Sequence, residues 1–213
     1  MNPTRVLLLA AAALALPPAE AGALPLLSEV LYDAVGSDDG SVFVEIAGVP
    51  GTDLGGYSVA GINGADGSQT VSIALVGTIP ASGLFVLADE ASGGGTAIPV
   101  FDQLANFDFQ NGPDSVVLRL GDVVVDALGY GAFGAGDVFA GEGSPAPAAP
   151  PGSSLARRFA DVDTDDNAAD FVVREIPDPG QAARLAVAEP SGAALLLAGL
   201  GAAAAARRGQ RRR

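Results

Sequence analysis

Short stretches in which apolar and polar residues alternate dominate the middle of the chain. Within the segment SVFVEIA at residues 41–47, every second residue is Val or Ile, and Glu45 lies on the opposite face. A period of two is the pattern of a half-buried β-strand. The same pattern predicts further strands at residues 26–32, 57–62, 69–76, 83–88 and 171–176.

The clearest supersecondary signal is a hairpin. Two β-rich runs at residues 115–120 and 123–128 are joined only by Gly121 and Asp122, and a two-residue turn that begins with Gly is typical of a type II′ β-hairpin. No window of 11 or more residues between 24 and 188 carries the apolar stripe of an amphipathic helix. About seven to nine short strands separated by turn residues predict an all-β sandwich.

Composition supports this fold class. The chain contains 29 Gly and 15 Pro, and 49% of its residues are hydrophobic, which favours short strands and turns around a folded core over long helices. The Pro- and Ala-rich stretch 141–152 is typical of an extended connection across the surface of a sandwich. We therefore expect one β-sandwich domain at 24–183.

The first 23 residues have the layout of a secretory signal peptide. Arg5 precedes an apolar run of 11 residues at positions 6–16, a Pro-Pro pair ends the run, and Ala21 and Ala23 each complete an A-x-A cleavage pattern. A helix of this length spans ~16 Å, too short for a stable anchor in a hydrocarbon core of ~30 Å. We expect a helical signal peptide at 1–23, with a buried N-terminal helix as the alternative.

The other end, residues 184–213, combines a short motif, an apolar segment and a basic tail. Glu189, Pro190 and Ser191 lead into 16 uncharged residues at 191–206, and five arginines follow. As a helix, these 16 residues would extend ~24 Å, a marginal membrane span. The arginines would hold the cytoplasmic side by the positive-inside rule.

This three-part layout resembles the PEP-CTERM sorting signal of bacterial envelope proteins. The resemblance implies that an exosortase-type enzyme recognises the segment and processes the chain near Glu189 and Pro190. Ala188 stands where the motif has its first Pro, which puts the efficiency of processing in question. The alternative is an ordinary C-terminal membrane anchor, and both interpretations place the domain outside the cytoplasmic membrane.

Charge and missing residue types exclude several classes of function. The chain has no His, Cys, Trp or Lys, so it lacks the usual neutral-pH general base, thiol nucleophiles, Schiff-base lysines and typical zinc ligands. Residues 24–188 contain five Arg against 23 acidic residues, a net charge of −18. A body this acidic repels phosphate backbones, so we expect no nucleic-acid partner.

Several segments in order resemble the lamin tail domain family. They are LSEVLY at 27–32, FVEI at 43–46, DLGGYSV at 53–59, IPASGLFVLA at 79–88, DSVVL at 114–118, VDALGYG at 125–131, SLARR at 154–158, DTDDNAADF at 163–171 and PDPG at 177–180. The resemblance covers about residues 26–183. It is closest to the exported bacterial members of the family. It implies an immunoglobulin-like β-sandwich without known catalytic residues.

The run DVDTDDNAAD at 161–170 is the strongest candidate for a metal site. Asp161, Asp163 and Asp165 at i, i+2 and i+4 resemble the first half of an EF-hand loop. The sixth and twelfth positions hold Asp and Val instead of Gly and Glu, which excludes an EF-hand. Two interpretations remain: another Ca²⁺ site formed by Asp161, Asp163, Asp165 and Asp170, or a turn shaped by side-chain-to-backbone bonds and balanced by Arg157 and Arg158. We favour the turn.

Glu29 and Glu45 are the acids most clearly set inside apolar strand patterns. Two neighbouring carboxylates are the minimum equipment for general acid–base or glycosidase chemistry. Simple mirror pairing of their strands, however, places Ser28 opposite Glu45. We therefore favour a solvated or backbone-bonded role for both.

The sequence thus predicts a non-enzymatic, exported interaction or scaffolding module of the cell envelope or extracellular matrix. Its expected partners are an exosortase-type enzyme, an envelope protein or exopolysaccharide, and the membrane through the C-terminal segment. No cofactor is expected. The alternative is a Ca²⁺-dependent carbohydrate-binding protein or a weak carboxylate-based glycoside hydrolase.

Overall fold

The computed structural model describes residues 23–184, which form ten strands and one short helix. In chain order these are β1 (Leu26–Leu31), β2 (Phe43–Ala47), β3 (Tyr57–Asn63), β4 (Gln69–Ala74), β5 (Leu84–Asp89), β6 (Gln103–Ala105), β7 (Asp114–Leu120), β8 (Val123–Tyr130), β9 (Ser154–Arg157), α1 (Asn167–Asp170) and β10 (Phe171–Arg174). The predicted all-β class is confirmed.

The strands form two sheets that pack together as a sandwich. One sheet has six strands in the order β10-β9-β1-β2-β5-β6, and the other has four in the order β4-β3-β7-β8. The pairings are antiparallel except for β5 with β6. Sequential strands therefore switch between the sheets several times, which brings together residues that are far apart in the sequence.

The core lies between the sheets and follows the alternation seen in the sequence. Val44 and Ile46 of β2, Leu87 of β5, Val59 of β3 and Leu118 of β7 are fully buried in one apolar cluster. Burying such a side chain contributes roughly 1.5–3 kcal/mol to folding. The two sheets are therefore held together mainly by the apolar face that the period-two pattern predicts.

The predicted hairpin is β7–β8. Gly121 has φ +59°, the left-handed value that the first position of a II′ turn requires and that glycine adopts without steric cost. The other strands predicted from alternation are also present, with ends that differ by one or two residues. The prediction of no long helix is confirmed, since α1 is the single helix among residues 23–184.

The alternation of apolar and polar residues does not predict two of the strands or the helix. β6 has three residues, too few to show a period, and β9 follows a Pro-rich run and ends in an arginine. The helix α1 forms within the Asp-rich run because Asp166 caps it, accepting from the N–H of Ala168. An N-cap carboxylate satisfies an amide that would otherwise lack a partner.

The connection from β8 to β9 crosses from the four-stranded to the six-stranded sheet, as predicted for 141–152. Tyr32 holds this crossover: its hydroxyl accepts from the N–H of Ala149 at 2.6 Å. The Tyr32 ring stacks on Tyr130 of β8, with centroids 4.1 Å apart. The crossover is thereby fixed to both sheets.

Candidate functional site

A β-bulge places Glu29 and Glu45 directly opposite each other. Leu27 pairs with Ile46 as mirror pairing predicts, but the next pair is Glu29 with Glu45, so Ser28 is the extra residue on β1. The predicted pairing of Ser28 with Glu45 is therefore wrong. A bulge shifts all later pairs by one residue, which alternation alone does not reveal.

Both carboxyl groups are buried and hydrogen-bonded. Glu29 Oε1 accepts from the Ser154 hydroxyl and, at 3.3 Å, from the N–H of Asp178. Glu45 Oε1 accepts from the Ser28 hydroxyl at 2.7 Å, and its Oε2 from the N–H of Gly180 at 2.6 Å. The prediction of backbone bonding is confirmed, whereas the prediction of a solvated face is wrong.

Burial also changes how the pair ionises. Burial raises the pKa of Glu29 to about 7, and the negative charges of Asp178 and Glu45 act in the same direction. The pKa of Glu45 is also raised by burial. Glu29 and Glu45 are 2% and 0% exposed, and each accepts a backbone N–H from residues 178–180. The pair is therefore better suited to a structural role, in which it joins β1 and β2 to residues 178–180, than to an open catalytic site.

Arg157 organises a second buried group of acids between the sheets. Its Nη2 donates to both oxygens of Asp126 at 2.9 Å, and its Nη1 donates to Asp170 at 2.9 Å and to Asp163 at 3.2 Å. Its Nε donates to the carbonyl of Leu27. Since Asp126 is on β8 and Arg157 on β9, this ion pair joins the two sheets.

Glu142 adds a further carboxyl at the rim of this group. One oxygen each from Asp126, Glu142 and Asp163 lies within 4.8 Å of the others. Among residues 23–184, no group forms a hydrogen bond with the buried Glu142 Oε2. Burial, followed by the charges of Asp126 and Asp163, raises the pKa of Glu142 to about 8. Such oxygens are of the type that Ca²⁺ prefers, although the guanidinium of Arg157 already supplies positive charge here.

Of the four aspartates predicted as Ca²⁺ ligands, only Asp163 belongs to that oxygen group. Asp170 bonds Arg157 and the Thr164 hydroxyl. Asp165 has φ +55° and donates its N–H to Asp163, while Asp161 is exposed. The side-chain-to-backbone bonds of this run agree with the predicted turn, and Ca²⁺ binding stays a prediction.

The expected balance of charge by the two neighbouring arginines holds for one of them. Arg157 pairs with three aspartates, whereas Arg158 donates to the carbonyl of Ala169. Sequence reasoning missed Asp126 and Glu142. Asp126 could have been found, because it is a charged residue inside the apolar run VVVDAL of β8.

The targeting residues fall largely outside the structure. Ala21, Glu189, Pro190 and Ser191 lie outside the described residues, and Ala23 is the first residue described. Within residues 23–184, no helix is long and apolar enough to cross a membrane. The predicted cleavage, sorting and anchoring functions therefore stay predictions.

Comparison with known proteins returns no family model, no curated protein and no solved structure that matches this chain.

Proposed function

We propose that this protein is a non-enzymatic interaction module, exported to the cell envelope and built on an immunoglobulin-like sandwich of the lamin-tail type. The resemblances at both ends and along the domain support the export and the family. The burial of Glu29 and Glu45 argues against hydrolysis by this pair. Wild-type protein is accordingly expected to release no reducing ends from envelope polysaccharides.

The observation that carries the proposal is the open edge strand β4. It lies at the edge of the four-stranded sheet, and Gln69, Thr70, Ser72 and Ala74 are exposed on it. Residues 67–88 contain no charged side chain, although residues 24–188 together carry a net charge of −18. Open edges usually carry charge, proline or a cover, because an uncovered edge pairs with other chains.

At one end of this edge, a side chain forms the hydrogen bonds that the backbone of a partner strand would form. The side-chain amide of Gln103 donates to the carbonyl of Ala74 at 2.9 Å and accepts from the N–H of Val76 at 2.9 Å. Backbone groups of alternate residues face the same side of a strand, so those of Ser72 face the open edge as well. An extended segment of an envelope protein could continue the sheet there.

A single cysteine on β4 tests the proposal, because the chain contains no other cysteine. Cells that make the Ser72→Cys protein would be treated with a bifunctional maleimide, and covalent adducts would be detected by their mass. Adducts are expected with an envelope protein. The control is Gly93→Cys, on an exposed loop where an added Cβ meets nothing within 4 Å.

Equal yields of adducts from both positions, or none from Ser72→Cys, would contradict the use of this edge. Melting temperatures of both variants near that of the wild type show that the substitutions leave the fold intact. Exposed substitutions of this kind typically change stability by no more than about 0.5 kcal/mol.

A second candidate function is Ca²⁺-dependent carbohydrate binding. The observation that favours it is the oxygen group of Asp126, Glu142 and Asp163 with the unpartnered Glu142 Oε2. A ligand that binds only the folded state raises the melting temperature. If Ca²⁺ binds here, millimolar calcium raises the melting temperature of the wild type but not of Glu142→Gln. An unchanged wild-type melting temperature rules this candidate out.

A further inference from the structure

A polar cleft lies at one end of the sandwich, on loops that the interactions described above do not use. It forms where β3 ends and β7 begins, and its volume is about 380 Å³. The polar side chains that line it are those of Asn63, Gln110, Asn111, Asp114 and Asp137. This volume falls within the range of small-molecule binding sites, ~300–1,000 Å³.

The floor of the cleft is held rigidly by Asp114 at the start of β7. Its two carboxylate oxygens accept from the N–H of Gly64 at 2.7 Å and from that of Gly112 at 2.9 Å. A Cβ on Gly64 would lie 2.0 Å from the carbonyl oxygen of Pro113. The two loops therefore approach so closely that only glycine fits, and the cleft exists before any ligand arrives.

The loop that follows β8 and carries Asp137 is also hydrogen-bonded to Gly64. The N–H of Val138 donates to the carbonyl of Gly64 at 2.6 Å, and Asp137 Oδ2 accepts from the N–H of Gly134 at 2.6 Å. These bonds keep Asp137 at the rim of the cleft, and among residues 23–184 its Oδ1 accepts no hydrogen bond.

The walls present hydrogen-bonding groups that the domain itself does not use. Gln110 and Asn111 are exposed, and within residues 23–184 their side-chain amides make no hydrogen bond. Asn63 uses only Oδ1, which accepts from the N–H of Ala65 at 2.7 Å. A side-chain amide offers donors and an acceptor, and a carboxylate offers acceptors. Together they match a ligand with several hydroxyl groups, each of which both donates and accepts.

Charge narrows the class of ligand. Two carboxylates and no arginine line the cleft, so an anionic ligand would be repelled, and the net charge of −18 over residues 24–188 adds to this repulsion. We infer that this cleft binds a neutral sugar residue of an envelope polysaccharide. The inference rests on the proposed function for the location of the ligand, and on the cleft alone for its chemistry.

Affinity electrophoresis of the full chain in detergent tests this assignment. The acidic protein would be run in native gels that contain dextran, mannan or galactan as neutral probes, or polygalacturonate as an anionic probe. Retardation is expected with at least one neutral probe and not with polygalacturonate. The double variant Gln110→Ala/Asn111→Ala is expected to bind that probe about tenfold more weakly, since two hydrogen bonds are lost.

Gln181→Ala is the matched control, because this exposed amide lies outside the cleft, and its retardation should equal that of the wild type. No retardation by any neutral probe overturns the inference, as does equal retardation of the double variant and the wild type. Retardation abolished by EDTA would show that binding depends on a cation and not on the amides of the cleft alone, and also overturns it. Cross-linking at Ser72 can succeed in each of these cases, so failure of the cleft is distinguishable from failure of the proposed function.

Discussion

Two buried carboxyl groups in this domain have different hydrogen-bond donors, and burial raises the pKa of both, that of Asp126 to about 6 and that of Glu29 to about 7. Asp126 is fully buried, and the guanidinium of Arg157 supplies it with a counter-charge and two hydrogen bonds. Within the described part of the chain, the donors to Glu29 are a hydroxyl and a backbone N–H. A carboxylate without a counter-charge is costly to bury, so Glu29 holds its proton to a higher pH than an exposed glutamate does.

We predict that Glu29→Gln makes stability less dependent on pH. The pKa of Glu29 is about 7 in the fold, against 4.5 for an ordinary glutamate. The folded state therefore binds more protons between these values, and stability falls as pH rises through this window, by up to ~1.4 kcal/mol per pH unit. Urea unfolding at pH 5 and pH 8 measures the loss, which should be smaller in the variant than in the wild type.

The exposed hairpin residue Asp122 gives a control, since Asp122→Asn removes a carboxyl without touching the buried pair. Its loss of stability between pH 5 and pH 8 should match that of the wild type. A wild-type loss that persists unchanged in Glu29→Gln would show that another group causes it.

The two outer strands of the four-stranded sheet, β4 and β8, differ in how far their open edges are covered. The C-terminal half of the β8 edge is covered by α1. Its Asn167 side chain accepts from the N–H of Gly129 at 2.8 Å and donates to the carbonyl of Ala127 at 2.7 Å. The edge of β4 is covered only at one end, by Gln103. Because an uncovered edge is a site for pairing, β4 is the edge at which we place the partner.

Replacing Asn167 by Ala should destabilise the domain strongly. The side chain is fully buried and bonds Gly129, Ala127 and the N–H of Glu142, which donates to Oδ1 at 2.9 Å. Each buried backbone group left without a partner costs about 1–3 kcal/mol, so the loss of all three bonds is expected to cost at least about 3 kcal/mol in chemical denaturation. Asn106→Ala, which removes an exposed amide, should cost at most about 0.5 kcal/mol; comparable losses for both would contradict this role.

The domain and the C-terminal tail carry opposite charges, and this distribution bears on the proposed location at the cell envelope. The body between 24 and 188 has a net charge of −18, whereas five of the 11 arginines belong to the C-terminal tail. An acidic body is repelled by anionic lipid, and a basic tail is attracted to it. The distribution therefore agrees with a domain that stands away from the membrane while its C-terminus is held there.

Deleting residues 189–213 should release the domain into the medium. The described core ends before this segment, so the truncated protein is expected to keep its melting temperature. Immunoblots of cells and medium measure the release, and Gln181→Ala, an exposed substitution outside the deleted segment, serves as the control. Equal retention of the truncated and full-length proteins would contradict a sorting or anchoring role.

The fold class and most of the strands follow from the amino-acid sequence alone. Alternation depends on neighbouring residues only, since successive side chains of a strand point to opposite faces, and it sufficed for the β7–β8 hairpin and the core. The glycine-led turn at Gly121 likewise follows from local backbone sterics.

The contacts between polar residues, by contrast, depend on how the strands pair and how the two sheets pack. The bulge at Ser28 brings Glu29 opposite Glu45, and crossing between the sheets brings Arg157 to Asp126, 31 residues away. Neither contact has a local signature, because one extra residue in a strand reverses every facing position and a switch between sheets joins distant segments. For the same reason the polar cleft, formed by three separate loops, is absent from any single stretch of the chain.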